Sequence, residues 1–151
     1  MIYDRTKSDV DAALSIRADY VQKNAELTAE QVEQLERGTI TINTLNRIEN
    51  KQKSLKSLFN DMGYWNTPTT NKEWQYTDIF DEVNFQRIID NLDILCNAFF
   101  VFTSTPKTPP VSYHYEDINS LEKILFDLDV MINDVKSRYR RCGTFRCGEV
   151  I

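Results

Sequence analysis

Apolar side chains recur at intervals of three and four along most of the chain, the period of helices with one buried face. The clearest stripe is Leu45, Ile48, Gln52, Leu55, Phe59 and Met62, with Lys51, Lys53 and Lys56 off it and Gly63 placed to end the helix. A second runs through Phe85, Ile88, Ile89, Leu92, Leu95 and Phe99 and predicts a helix from about Asp81 to Phe102. The longest, Ile118, Leu121, Leu125, Leu128, Ile132, Val135 and Tyr139, predicts a helix opening between Asp117 and Asn119. Two shorter helices precede these. Ser8-Asp9 reads as the cap of one carrying Val10, Ala13, Leu14, Ala18 and Val21. Thr28-Ala29-Glu30-Gln31 is a capping box opening the other, which holds Val32 and Leu35 and closes at Gly38.

Between the stripes the pattern breaks. Thr39-Ile40-Thr41-Ile42 is β-branched and reads as an extended connector. Residues 64–80, with Pro68, Trp65 and Trp74, read as a packed loop or short hairpin, and residues 103–115, with Pro106, Pro109 and Pro110, as a rigid connector. The expected fold is all-α: an antiparallel bundle of three long and about two short helices over residues 1–141. Residues 142–151, with two glycines, Thr144 and Phe145, are expected to form an extended or hairpin segment that builds an interface.

Composition narrows the chemistry. Of 151 residues only 4 are glycine and 4 proline, too few for folds built on many tight turns. The single histidine, His114, disfavours zinc hydrolases and His-based triads. A net charge of -5 argues against nucleic acid as the main partner. No apolar run is long enough to span a bilayer, and residues 1–7 lack a signal-peptide apolar core. The three cysteines are expected to be reduced thiols, since Cys142 and Cys147 have the wrong spacing for a zinc knuckle and Cys96 lies on a helix. Asp127 and Asp129 point to different sides of one helix, and Asp78, Asp81 and Glu82 suit a helix start. No metal, cofactor or catalytic residue is expected.

Surface recognition is the remaining chemistry. Lys136, Arg138, Arg140, Arg141 and Arg146 form a basic run without an acid between Asp134 and Glu149, on an otherwise acidic chain. Complementing the helix dipole is one reading; docking onto an acidic neighbour, such as another copy, is the other. Trp65, Trp74 and the Tyr113-His114-Tyr115 cluster are candidate aromatic contacts.

The order of several short motifs resembles a family of small structural proteins from the tail modules of bacteriophages and prophages of Gram-positive gut bacteria. These are Tyr3-Asp4-Arg5-Thr6 with Asp9-Val10, Leu27-Thr28-Ala29-Glu30, and Leu45-Asn46-Arg47-Ile48-Glu49. Trp74 with Asp78-Ile79, the run from Asn119 to Asp127 and the closing Arg141 to Glu149 complete the set. Phe80 stands where the family tends to have proline, and the loop at Gly38 is shorter than usual. The resemblance implies a non-enzymatic subunit of the tail or baseplate, made in the host cytoplasm and resident in the virion. Its partners would be other tail proteins and copies of itself, with neither nucleic acid nor membrane. The residues expected to carry contacts are Arg138, Arg140, Arg141, Phe145, Arg146, Val150 and Ile151, with Trp65 and Trp74 as a second patch. The alternative is a receptor- or glycan-binding tail-tip module using Trp65, Trp74 and Tyr113.

Overall fold

The computed structural model describes residues 1–23, 26–65, 68 and 71–142, the side chains of 139–142 excepted. It contains five helices, α1 (Lys7–Lys23), α2 (Ala29–Gly38), α3 (Ile42–Asp61), α4 (Glu82–Ala98) and α5 (Tyr115–Cys142), and no strand among the described residues. The all-α expectation holds. Phe145, Arg146, Val150 and Ile151, with the rest of the expected extended segment after Cys142, lie outside the described residues.

Local polar chemistry sets the helix starts. At α2 the Thr28 hydroxyl accepts from Gln31 N–H (3.2 Å) while Thr28 N–H donates to the Gln31 side chain (3.0 Å), the expected capping box. Asp81 caps α4 by accepting from Asn84 N–H (2.9 Å). Three starts differ from expectation. Helix α5 opens at Tyr115 rather than between Asp117 and Asn119. Thr6, not Ser8, closes the first turn of α1, exchanging hydrogen bonds with Asp9 (Thr6 N–H to the carboxylate 2.7 Å, Asp9 N–H to the hydroxyl 3.3 Å). Thr41 caps α3 by accepting from Thr44 N–H (3.2 Å), so Ile42 belongs to the helix and the extended connector shrinks to Thr39-Ile40. At the other end of α3, Gly63 takes φ +85°, a conformation costly for any residue with a Cβ. Helix α4 stops at Ala98 rather than Phe102. Phe99 turns extended (φ -145°, ψ 165°) and is buried, while Phe100, Val101 and Phe102 after it are exposed.

One core unites α3, α4 and α5. Leu45, Ile48, Leu55 and Phe59 meet Phe85, Ile88, Leu92 and Leu95, and both sets meet Leu121, Ile124, Leu125, Leu128 and Ile132. These three helices do not run antiparallel. Along α3 and α4, Glu49 pairs with Arg87 and Phe59 packs on Phe99 (ring centroids 5.3 Å). Along α3 and α5, Arg47 pairs with Glu122 and Lys51 with Asp129 (both 2.9 Å or less). Partner numbers rise together in both cases, so α3, α4 and α5 point the same way.

The connectors make this possible. Antiparallel packing is the rule for helices joined by short loops. Residues 62–81 and 99–114 hold 20 and 16 residues, and even the shorter stretch can span about 50 Å when extended. Helix α4, at about 1.5 Å per residue, is only about 26 Å long. Each connector therefore returns to the starting end. The first does so along α3: Pro68 accepts from Lys56, Asn71 bonds to Glu49, and Trp74 bonds to Asn46.

Helices α1 and α2 stand apart from that core and pack mainly on each other. Their contact is close at Gly38, where a Cβ would fall 2.2 Å from the Asp9 carbonyl oxygen and 2.4 Å from the Ala13 Cβ. Arg37 latches the same end through Asp9 (3.0 Å) and Asp4 (3.1 Å). The pair joins the core at its starting end, through Arg5 on α5 before it and Thr39-Ile40 into α3 after it.

Candidate functional site

Among the described residues three carboxylates are buried; arginines meet two of them, Glu122 and Glu49, while Asp127 pairs with Lys123 and accepts from the Thr105 hydroxyl (2.8 Å). Glu122 of α5 is fully buried and accepts from Arg5 Nη1 (2.5 Å) and Arg47 Nε (2.9 Å). Glu49 of α3 accepts from Arg87 Nη1 (3.1 Å), the Asn71 amide (2.9 Å), the Lys72 backbone N–H (3.3 Å) and the Trp74 indole N–H (3.2 Å). Buried carboxylates with this many donors are held in one place. Their work is architectural: Glu122 ties the N-terminal segment and α3 to α5, and Glu49 ties the returning connector and α4 to α3.

That network relocates one candidate contact residue. Trp74 was expected on the surface, yet it is 2% exposed. Its indole N–H reaches Glu49, its ring meets Phe80 edge-on (centroids 5.5 Å), and Lys72 Nζ lies 4.3 Å from its centroid. A tryptophan buries well when its N–H finds an acceptor, and a buried carboxylate provides one. Trp74 is thus a core residue and not a partner contact. Trp65, by contrast, is 83% exposed. Tyr113 is half in, half out: its ring stacks on Phe85 (5.5 Å, 19°) while about half its surface stays open.

Arg138 extends into solvent and pairs with Asp134 one turn back (3.0 Å), an exposed pair of small energetic weight. Arg140 and Arg141 lie on the last turn of α5, with side chains outside the described set. The remaining thiol chemistry is muted. Burial, aided by the Asp93 charge, pushes the Cys96 thiol up to about 12, so it stays protonated. Among the described residues no group of three or more His, Cys, Asp or Glu side chains is placed to hold a metal. No helix there is long and apolar enough to cross a membrane.

The parallel course of the helices gathers what the sequence had scattered. The ends of α3, α4 and α5 share one end of the molecule; Trp65 and Phe100, Val101 and Phe102 follow the ends of α3 and α4, and Lys136 and Arg138 lie on the last turns of α5. Contact between Tyr64 and Phe99 (4.8 Å, edge-on) joins the first two groups, and Phe100, beside Phe99, is 80% exposed. The periodicity predicts helix through Phe102, so the exposure of Phe100, Val101 and Phe102 past the end of α4 is not legible in it. No family model, no curated protein and no solved structure matches the chain.

Proposed function

We propose that the chain is a non-enzymatic structural or adaptor subunit of the tail or baseplate region of a bacteriophage or prophage of Gram-positive bacteria, working by protein–protein assembly. The motif order from residue 3 to 149 supports the family reading. The observation that carries the assembly reading is the exposure of Trp65, Phe100, Val101 and Phe102 just past the ends of α3 and α4, at the end of the molecule where α5 also finishes. Large apolar side chains grouped in water are unfavourable until a partner covers them. Basic groups at their rim orient the encounter.

In this reading residues 143–151 continue from that same end as an extended segment and add to a neighbouring subunit. Phe145, Val150 and Ile151 supply the apolar contacts, and Arg138, Arg140, Arg141 and Arg146 steer docking. The subunit is made in the host cytoplasm and ends in the virion. The test is mass spectrometry of tail particles purified from a host carrying the chain, with and without residues 143–151. Loss of the truncated chain from particles is expected; unchanged incorporation would refute the mechanism.

A further inference from the structure

The α1–α2 hairpin meets the helical core across a seam that side chains do not fill. Between α1, the Gly38–Ile40 link and the opening turn of α5 lies a cavity of about 360 Å³, within the range of small-molecule sites. Val10 and Arg17 reach it from α1, where they stand two turns apart on one face. Ile40 comes from the link, and Tyr113, His114 and Ile118 come from the approach to α5 and its first turn. Arg5 forms part of the same wall.

The wall is one-sided in charge. Among the described residues two guanidiniums and an imidazole line the cavity, and no carboxylate does. Arg17 is exposed and makes no ion pair among the described residues. Arg5 is buried. Its side chain is 3% exposed, and Nη1 is occupied by the Ile2 carbonyl, Asn119 (3.3 Å) and Glu122 (2.5 Å). Its Nη2 is buried too, yet has no acceptor among the described residues. Nor does the charge around it balance, since Glu122 serves both Arg5 and Arg47. The nearby Asp4 and Asp9 are already held by Arg37. A buried guanidinium with a spare donor and uncompensated charge favours a negatively charged acceptor.

Two further features narrow the ligand. Glu116 and Asp117 on the first turn of α5 oppose a second negative charge, so a monoanion suits the site better than a phosphate dianion. Val10, Ile40 and Ile118 are aliphatic, and Tyr113 keeps about half its surface open, so the body of the ligand meets apolar and aromatic surface.

We propose that this cavity binds a small monoanionic carboxylic acid with a flat apolar body. The carboxylate accepts from Arg17 and from Arg5 Nη2, while the body lies against Val10, Ile40 and Ile118. The site is separate from the aromatic surface past α3 and α4, and it does not rest on the assembly reading.

Titration of the full chain with sodium benzoate, followed by two-dimensional proton–nitrogen NMR, tests it. Saturable shifts with a dissociation constant below about 1 mM are expected at the Arg5 and Arg17 Nε–H groups and at the amides of Ile40, Tyr115 and Ile118. Benzyl alcohol keeps the ring without the charge, inorganic phosphate the charge without the ring, and glucuronate places the carboxylate on a polar ring. Each should bind at least about tenfold more weakly than benzoate. Arg17→Gln should weaken benzoate about tenfold and leave circular dichroism unchanged, because Arg17 is exposed. No saturable shift with benzoate would mean that water alone meets Nη2 and would overturn the site. Benzyl alcohol binding as tightly as benzoate would overturn recognition of the charge, and tighter binding of phosphate or glucuronate would overturn the apolar body. An unchanged benzoate constant in Arg17→Gln would equally overturn the proposed seat of the carboxylate.

Discussion

Replacing Glu122 by Gln should be among the most damaging single changes that keep side-chain shape. The carboxylate is fully buried and neutralises two guanidiniums, those of Arg5 and Arg47, whose side chains are 3% and 26% exposed. Removing the negative charge leaves both cations facing a neutral amide. Arg47 can turn toward water, but Arg5 cannot, and its Nη2 already lacks a hydrogen-bond partner among the described residues. Breaking a buried pair from one side costs about 3–5 kcal/mol, a large part of the roughly 5–15 kcal/mol that holds a domain folded. For a chain of this size the melting temperature should fall by roughly 10 °C. Urea denaturation followed by circular dichroism measures the loss. The double variant Arg5→Met with Glu122→Leu should recover much of it, because the partner that cannot turn to water is removed with the carboxylate. A Glu122→Gln loss under about 1 kcal/mol, or a double variant less stable than the single one, would refute the claim that this carboxylate is a buried counter-charge.

Further outcomes follow from the same contacts. Trp74→Ala should cost about 3–5 kcal/mol whereas Trp65→Ala should stay within about 0.5 kcal/mol, and equal effects in the same urea series would contradict their opposite burial. Gly38→Ala should loosen the hairpin by about 1–3 kcal/mol, because a Cβ there meets the α1 backbone; hydrogen exchange should quicken over residues 7–38 and stay unchanged in α3–α5. Hydrogen bonds from Thr6 N–H and hydroxyl, then from Arg37, hold the Asp9 carboxyl below its ordinary value of 3.8. Its contribution to the hairpin is thus fully present above that value and lost as pH falls through the lower folded-state value, so protection of the amides at the start of α1, taken relative to their intrinsic exchange rate, should fall on acidification, and Asp9→Asn should abolish that pH step. Spin labels at exposed Asp61 and Asn97 test the helix directions: parallel α3 and α4 place them on the same end, within about 20 Å, and a separation exceeding the roughly 26 Å length of α4 would mean the antiparallel arrangement.

Helix content was legible because it rests on near-neighbour chemistry. The three-four seams through Leu45 to Phe59 and Ile118 to Ile132 are the buried faces of α3 and α5, and the Thr28–Gln31 box and Gly63 punctuate as their chemistry demands. Boundaries failed where two local signals competed. Thr41 and Ile42 are β-branched, yet a threonine hydroxyl satisfies a free helix N–H better than an extended connector uses it. Helix α1 was read as having a single stripe, although its apolar residues line two faces.

What the sequence by itself determined is the set of helices, their caps and the faces they bury, all properties of residues within a few positions of one another. What only the tertiary structure decided is the direction of the helices and the fate of the polar residues between them. Glu49 and Glu122 look like ordinary surface acids in a helical pattern; arginines 38 residues ahead and 117 residues back make them buried anchors. Trp74 goes inward because one of those carboxylates waits for its N–H. The connectors 62–81 and 99–114 were long enough to return to the starting end, but length only permits that path. The Glu49 and Glu122 networks and the shared aromatic core select it.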